Sequence, residues 1–182
     1  MARTIEKAVT VEPEIIAREK VPGPYANYLT AQEKAEIDHE IPRYETKRAV
    51  GIDALKIVQK YRGWISDDTL KAVAEYLSLS VAELEGVATF YTLIFREPVG
   101  RQVIYYCDSV SCWIMGGEQV RAKLEEHLGI KPGETTADGE YTLIPIQCLG
   151  DCDKAPVMMV GEQMHRHLSC EKIREIFAGE NA

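Results

Sequence analysis

From Thr30 onward the apolar residues recur every three or four positions, and beyond about Gln102 they begin to run together. This change of period divides the chain into a helical part and a part that mixes strands with helices. Thr30 and Glu33 have the spacing of a capping box and open the first predicted helix, in which Ile37 and Ile41 stack one turn apart until Pro42 ends it. A second helix, about Lys47 to Arg62, carries Leu55, Val58 and Tyr61 on one stripe, with Gly63 placed to stop it. Ser66 caps a third, whose first turn holds Asp67 and Asp68 and whose face is Leu70, Val73, Ala74 and Leu77. Ser80 with Glu83 repeats the capping box and opens a fourth, ending near Phe90 or Leu93. The aromatic run Phe90, Tyr91 and Phe95 reads as core packing of this helix in preference to a docking surface.

Pro98 and Gly100 interrupt the chain, and "QVIYY" at 102–106 then reads as a buried strand leading into Cys107. Gly116 and Gly117 precede a helix over about Glu118 to Leu128, with Val120, Leu124 and Leu128 on one face. The strand "YTLIPI" runs toward Cys148, "VMMV", Gly161-Glu162 and "QMHRH" form a hairpin, and Ser169 caps a last helix carrying Ile173, Ile176 and Phe177. The order strand, helix, strand, hairpin, helix is the layout of a thioredoxin-like α/β domain. The expected class is therefore α+β, with residues 30–97 a small helical bundle and 98–182 the α/β domain. Residues 1–29, polar and broken by Pro13, Pro22 and Pro24, read as a tail or extended arm, along which Val9, Val11, Ile15, Ile16 and Val21 are the apolar positions.

Charge removes some classes of function. A net charge of -8 opposes binding to nucleic acid or to anionic lipid. No stretch has the uninterrupted apolar length of a membrane span, and the first residues lack the apolar region of a secretory signal, so a cytoplasmic chain without membrane insertion is expected. In a reducing compartment cysteines point to metal or redox chemistry and not to a disulfide framework.

Four of the five cysteines form two pairs, Cys107 with Cys112 in "CDSVSC" and Cys148 with Cys152 in "CLGDC", and residues 113–147 separate them. Each pair follows a predicted strand, so each is placed on a strand-end loop, and loops from neighbouring strands can meet. The C-x-x-C of a dithiol oxidoreductase is absent. C-x4-C and C-x3-C suit either a zinc ion or a 2Fe-2S cluster, which needs two thiolates per iron and tolerates wider loops. Neither spacing is the usual two-residue zinc knuckle, so spacing favours the cluster modestly and leaves zinc open.

"CDSVSC", then "CLGDCDKAP", with "EGVATFY" upstream and "KPGETTADG" between, resembles the family of E subunits of the NADH-quinone oxidoreductases of respiratory complex I. The resemblance runs from about Thr30 to the C-terminus and leaves "WIMGG" after Cys112 and the N-terminal tail unmatched. It implies a thioredoxin-like ferredoxin domain in which Cys107, Cys112, Cys148 and Cys152 bind one 2Fe-2S cluster, the first pair on one iron and the second on the other. It also implies an electron-transfer role with no substrate site in this chain, in the peripheral arm of complex I on the cytoplasmic side of the inner membrane. Its partners there would be the flavoprotein, or F, subunit, which binds FMN and NADH, and the neighbouring iron-sulfur subunit. The diaphorase subunits of soluble NAD-linked hydrogenases and formate dehydrogenases use a similar module and stand as an alternative, as does a zinc-stabilised interaction domain. Asp108, Asp151 and Asp153 flank ligands with only Lys154 opposing them, which predicts a low reduction potential if they face inward, and amides near Gly150 would raise it. No G-x-G-x-x-G follows a strand, so no dinucleotide or flavin site is expected in this chain.

The remaining candidates have plainer readings. Cys170 at a helix start reads as a small packed residue and not as a ligand. His165 and His167 alternate in one predicted strand and read as an exposed polar face; His39 and His127 lie on polar helix surfaces. Glu33, Glu36, Asp38 and Glu40 read as a solvated face.

Overall fold

A computed structural model describes residues 23–178, so the expected arm before Gly23 lies outside the described residues. Among those residues the architecture is α+β, with seven α-helices and a four-stranded mixed sheet.

The first four helices are α1 (Ala31–Glu40), α2 (Gly51–Arg62), α3 (Asp67–Leu77) and α4 (Val81–Phe90). The starts of α1, α3 and α4 follow the caps in the sequence. The Glu33 amide donates to Thr30 Oγ1 at 3.2 Å while the Thr30 amide donates to Glu33 Oε2 at 2.7 Å. Ser66 and Ser80 accept from the amides of Thr69 and Glu83, each at 3.2 Å. Each such cap satisfies an amide that the helix itself leaves unpaired. The α1 to α4 faces then close one apolar core containing Ile37, Leu55, Val58, Leu70, Val73, Leu77 and Leu84. Leu29 and Tyr25, ahead of α1, also pack on this core.

Three local expectations change. The second helix starts at Gly51 and not near Lys47, because residues 46–51 form turns closed by Ala49 N to Thr46 O and Gly51 N to Arg48 O. Tyr61 is at the edge of the α2 stripe, half out in water, with its hydroxyl on the Glu36 carboxylate; Ala54 holds the core position. Phe90 and Tyr91 are not core residues, being 77% and 45% exposed. The buried face of α4 is Leu84 and Ala88, the helix ends at Phe90, and the extended backbone at Tyr91 carries the aromatics outward while Ile94 fills the core.

In the second half, β1 (Gln102–Cys107) pairs in parallel with β2 (Tyr141–Ile146) and antiparallel with β3 (Met158–Val160), which pairs with β4 (Gln163–His165); the strand order is β2-β1-β3-β4. The short α5 (Val110–Ile114) and α6 (Gly117–Leu128) connect the parallel pair, and α7 (Cys170–Ala178) ends the described chain. Alternation along each strand sends Ile104, Tyr106, Leu143 and Met158 to one face, where Val120 and Leu124 of α6 and Ile173 and Phe177 of α7 cover them. This second core shares no residue with the first. No helix among the described residues is long and apolar enough to cross a membrane.

Candidate metal centre

Parallel pairing fixes where the cysteines meet. Cys107, the last residue of β1, lies opposite Ile146, the last of β2, so the chain beyond both strands leaves from the same sheet end. Two hydrogen bonds hold that end: Asp108 N donates to Ile146 O at 2.8 Å and Cys107 N to Val157 O at 3.2 Å.

The first pair departs from the strand-end loop expected of it. Cys107 belongs to β1, and Cys112 lies inside α5, whose turn is closed by Trp113 N to Ser109 O. A strand followed so soon by a five-residue helix has no sustained helical period, so pattern alone reads it as loop. Cys148 lies in the loop after β2, and Cys152 starts a 3-10 turn through Lys154. The sulfurs of Cys148 and Cys152 are 3.7 Å apart. Two thiolates on one ion at the usual metal–sulfur bond length of about 2.3 Å have about this separation.

The pairs differ in setting. Cys107 and Cys112 are buried and share a small apolar cluster with Ala155 and Val157, against which Leu149 and Met164 pack; Cys148 and Cys152 are exposed. The four thiols also influence one another. Burial pushes the Cys112 thiol up, and the adjacent Cys107 sulfur pushes it further, against an amide hydrogen bond from Val157. The Gly150 amide, 3.3 Å from Cys148 Sγ, holds that thiol down, with help from hydrogen bonds to Cys152 and Cys107. Cys152 is raised by Cys148, while the Ser111 hydroxyl of α5 opposes the shift. Two cysteine pairs at one sheet end, with the sulfurs of the second pair spaced as on one metal ion, form a thiolate donor set that fits a 2Fe-2S cluster. Among the described residues no group of three or more His, Cys, Asp or Glu side chains is gathered as for a single metal ion.

Charge around the second pair is more balanced than the sequence suggested. Asp151 is held between Lys154 Nζ, 3.1 Å from Oδ1, and the Arg166 guanidinium on Oδ2. Arg166 first and Lys154 second keep its carboxyl below the usual range. Asp153 is exposed and pairs with Lys154 at 3.4 Å. Arg166 comes from beyond β4, far along the chain, and the one trace of it in the sequence is its place between His165 and His167.

Other candidates stay apart from the thiols. Cys170 Sγ approaches Gln119 O at 3.9 Å. β4 ends at His165, which is half-buried with its pKa lowered first by desolvation, while His167 leaves the strand with φ of 49°; the two do not share a strand face. His39 is exposed, and His127, also exposed, rests its ring 5.4 Å from that of Phe177. Glu33 departs from the solvated face expected of it, being buried against Arg62.

Residues 37–180 match the model of the thioredoxin-like 2Fe-2S ferredoxin family. The chain is 54% identical over 148 residues to the E subunit of the NADH-quinone oxidoreductase of Escherichia coli, covering 81% of this chain and 89% of that protein. It is 50% identical over 137 residues to the protein of that name in Pseudomonas aeruginosa, covering 75% and 82%. Among solved structures, an NAD+-reducing NiFe-hydrogenase in the air-oxidized state aligns with a TM-score of 0.59 at 24% identity. That alignment covers 68% of this chain and 22% of the hydrogenase chain, a likeness of fold.

Proposed function

The chain belongs to the thioredoxin-like 2Fe-2S ferredoxin family, and from that premise we propose that it is the electron-transferring E subunit of an NADH-quinone oxidoreductase, holding one 2Fe-2S cluster on Cys107, Cys112, Cys148 and Cys152. One observation carries the reading: β1 and β2 end in register, and both thiol pairs lie at or just beyond that shared sheet end. Cys107 and Cys112 would hold the inner iron and Cys148 and Cys152 the outer one. The cluster, when bound, supplies a centre that takes up and releases one electron at a time.

The protein's part is to exclude water, orient sulfur and set charge. Ala155, Val157, Leu149 and Met164 keep water from the inner pair. The amides of Gly150 and Val157 donate to Cys148 and Cys112, which favours added negative charge on sulfur and raises the potential. Paired with Lys154 and Arg166, Asp151 loses much of the opposing effect expected of it.

The reductant belongs to a partner. FMN and NADH would bind the flavoprotein, or F, subunit, with the neighbouring iron-sulfur subunit nearby, in a peripheral arm on the cytoplasmic side of the membrane. In support, Val110, Trp113, Ile114 and Met115 are each at least 58% exposed around the helix that carries Cys112. An apolar patch beside a redox ligand suits docking of an electron-exchange partner. The organisation that goes with this reading is an N-terminal tail or arm at 1–29, a helical bundle at 30–97 and the cluster domain at 98–182.

Relatives that share half the sequence over most of their length favour the quinone-reducing complex; the hydrogenase likeness rests on fold. Iron and acid-labile sulfide analysis of the purified chain tests the proposal. Two irons and two sulfides per chain are expected, and stoichiometric zinc without sulfide would overturn it.

A further inference from the structure

The loop that carries the outer thiol pair is held from outside itself. Asp151, next to Cys152, keeps 16% of its side chain exposed and is gripped by two cations from different segments. Lys154 is three residues on in the 3-10 turn; Arg166 comes from the far side of the β3–β4 hairpin. An exposed ion pair alone is worth little, yet here the backbones are joined as well. His167 N donates to Lys154 O at 2.8 Å and Leu168 N to Pro156 O at 3.0 Å. Lys172 Nζ, from α7, donates to Arg166 O at 2.7 Å. His167 itself sits at φ of 49°, a conformation that side chains other than glycine rarely adopt. Such a residue persists where its surroundings hold it, and the two backbone hydrogen bonds do so.

We propose that Arg166 is a positioning residue for the cluster: its grip on Asp151 keeps the 148–152 loop in the shape that presents the Gly150 amide to Cys148, and its charge offsets that of Asp151. The inference rests on the four cysteines holding a 2Fe-2S cluster. It has two consequences. Without Arg166 the loop loses one of its anchors to the hairpin. Asp151 also keeps more net negative charge close to a centre that becomes more negative on reduction, so the potential falls.

Redox titration of the cluster-loaded full chain, followed by spin resonance, reads the charge effect. Arg166→Gln lowers the reduced-to-oxidised ratio at a fixed ambient potential several-fold, on the scale of a unit charge removed at close range in a partly solvated site. Asp151→Asn raises it, the double variant falls between the two, and Arg166→Lys stays near the parent. Hydrogen exchange on the cluster-free chain reads the grip: the amides of 149–151 exchange faster in Arg166→Gln. Equal midpoints in the parent and both single variants, a shift in Arg166→Lys as large as in Arg166→Gln, or unchanged exchange would each overturn the proposal. If Arg166→Gln does not load, the exchange measurement decides. If the parent takes up no iron and sulfide, the cluster reading fails, and exchange still decides whether Arg166 grips the loop.

Discussion

Gly117 leaves no room for a side chain against Cys112: a Cβ built on it would lie 2.7 Å from the Cys112 carbonyl oxygen and 3.6 Å from the Cys112 Cβ. The turn between α5 and α6 thus brings backbone onto backbone beneath an inner ligand, and Gly116, at φ of 96°, makes that turn. Gly117→Ala should push α5 away, with an overpacking cost of about 1–3 kcal/mol. The expected result is a chain that keeps its helical circular dichroism but takes up less than half the parent's iron under identical reconstitution. Equal iron content would mean that α5 yields without moving Cys112.

Trp113 is 58% exposed one residue from Cys112, and among the described residues it contributes nothing to the buried cores. Trp113→Glu places a charge at the centre of the α5 patch, where desolvation on docking would penalise it. Binding to the purified flavoprotein partner should weaken at least about tenfold, or ~1.4 kcal/mol, with the visible spectrum of the cluster unchanged. Unaltered binding would place the partner on another face.

Much of this was legible in the sequence because it is local. The caps at Thr30, Ser66 and Ser80 and the runs at 102–106 and 141–146 need only neighbours a few residues away. The thiol spacing and its flanking residues carried the family. What stayed hidden depends on distant contacts. Arg166 meets Asp151 only because a hairpin folds back, and Arg62 reaches Glu33 only because α2 lies along α1. Phe90 reads as core by type, but the helix stops beneath it and leaves it in water, an outcome fixed by the turn that follows.

Cys170, though the fifth thiol, faces Gln119 O and lies outside the buried cluster that holds Cys107 and Cys112. Cys170→Ser should leave iron and sulfide content and the spin-resonance signal unchanged. Cys148→Ser, which removes one of two sulfurs 3.7 Å apart, should abolish that signal or alter it strongly. Loss of iron in the Cys170 variant would contradict this assignment of ligands.

Glu33 is 1% exposed, with Arg62 Nε 2.6 Å from Oε1 and Nη2 2.8 Å from Oε2, while Thr30 closes the capping box on the same carboxylate. Burial alone would raise its pKa. The Arg62 and Thr30 hydrogen bonds win, and it lies below the ordinary value of 4.5. A carboxylate whose pKa is lowered on folding adds stability that is fully present above its unfolded value and lost as pH falls through its folded one. Glu33→Gln removes that contribution and leaves the Arg62 charge without its partner. The cost at neutral pH should be about 2 kcal/mol, less than the ~3–5 of a fully buried pair because Arg62 keeps some contact with water. Urea unfolding of parent and variant, followed by far-ultraviolet circular dichroism from pH 7 downward, checks this. The stability gap should hold down to about pH 4.5 and then narrow; a gap that persists unchanged into strong acid would show that shape and not charge makes Glu33 stabilising.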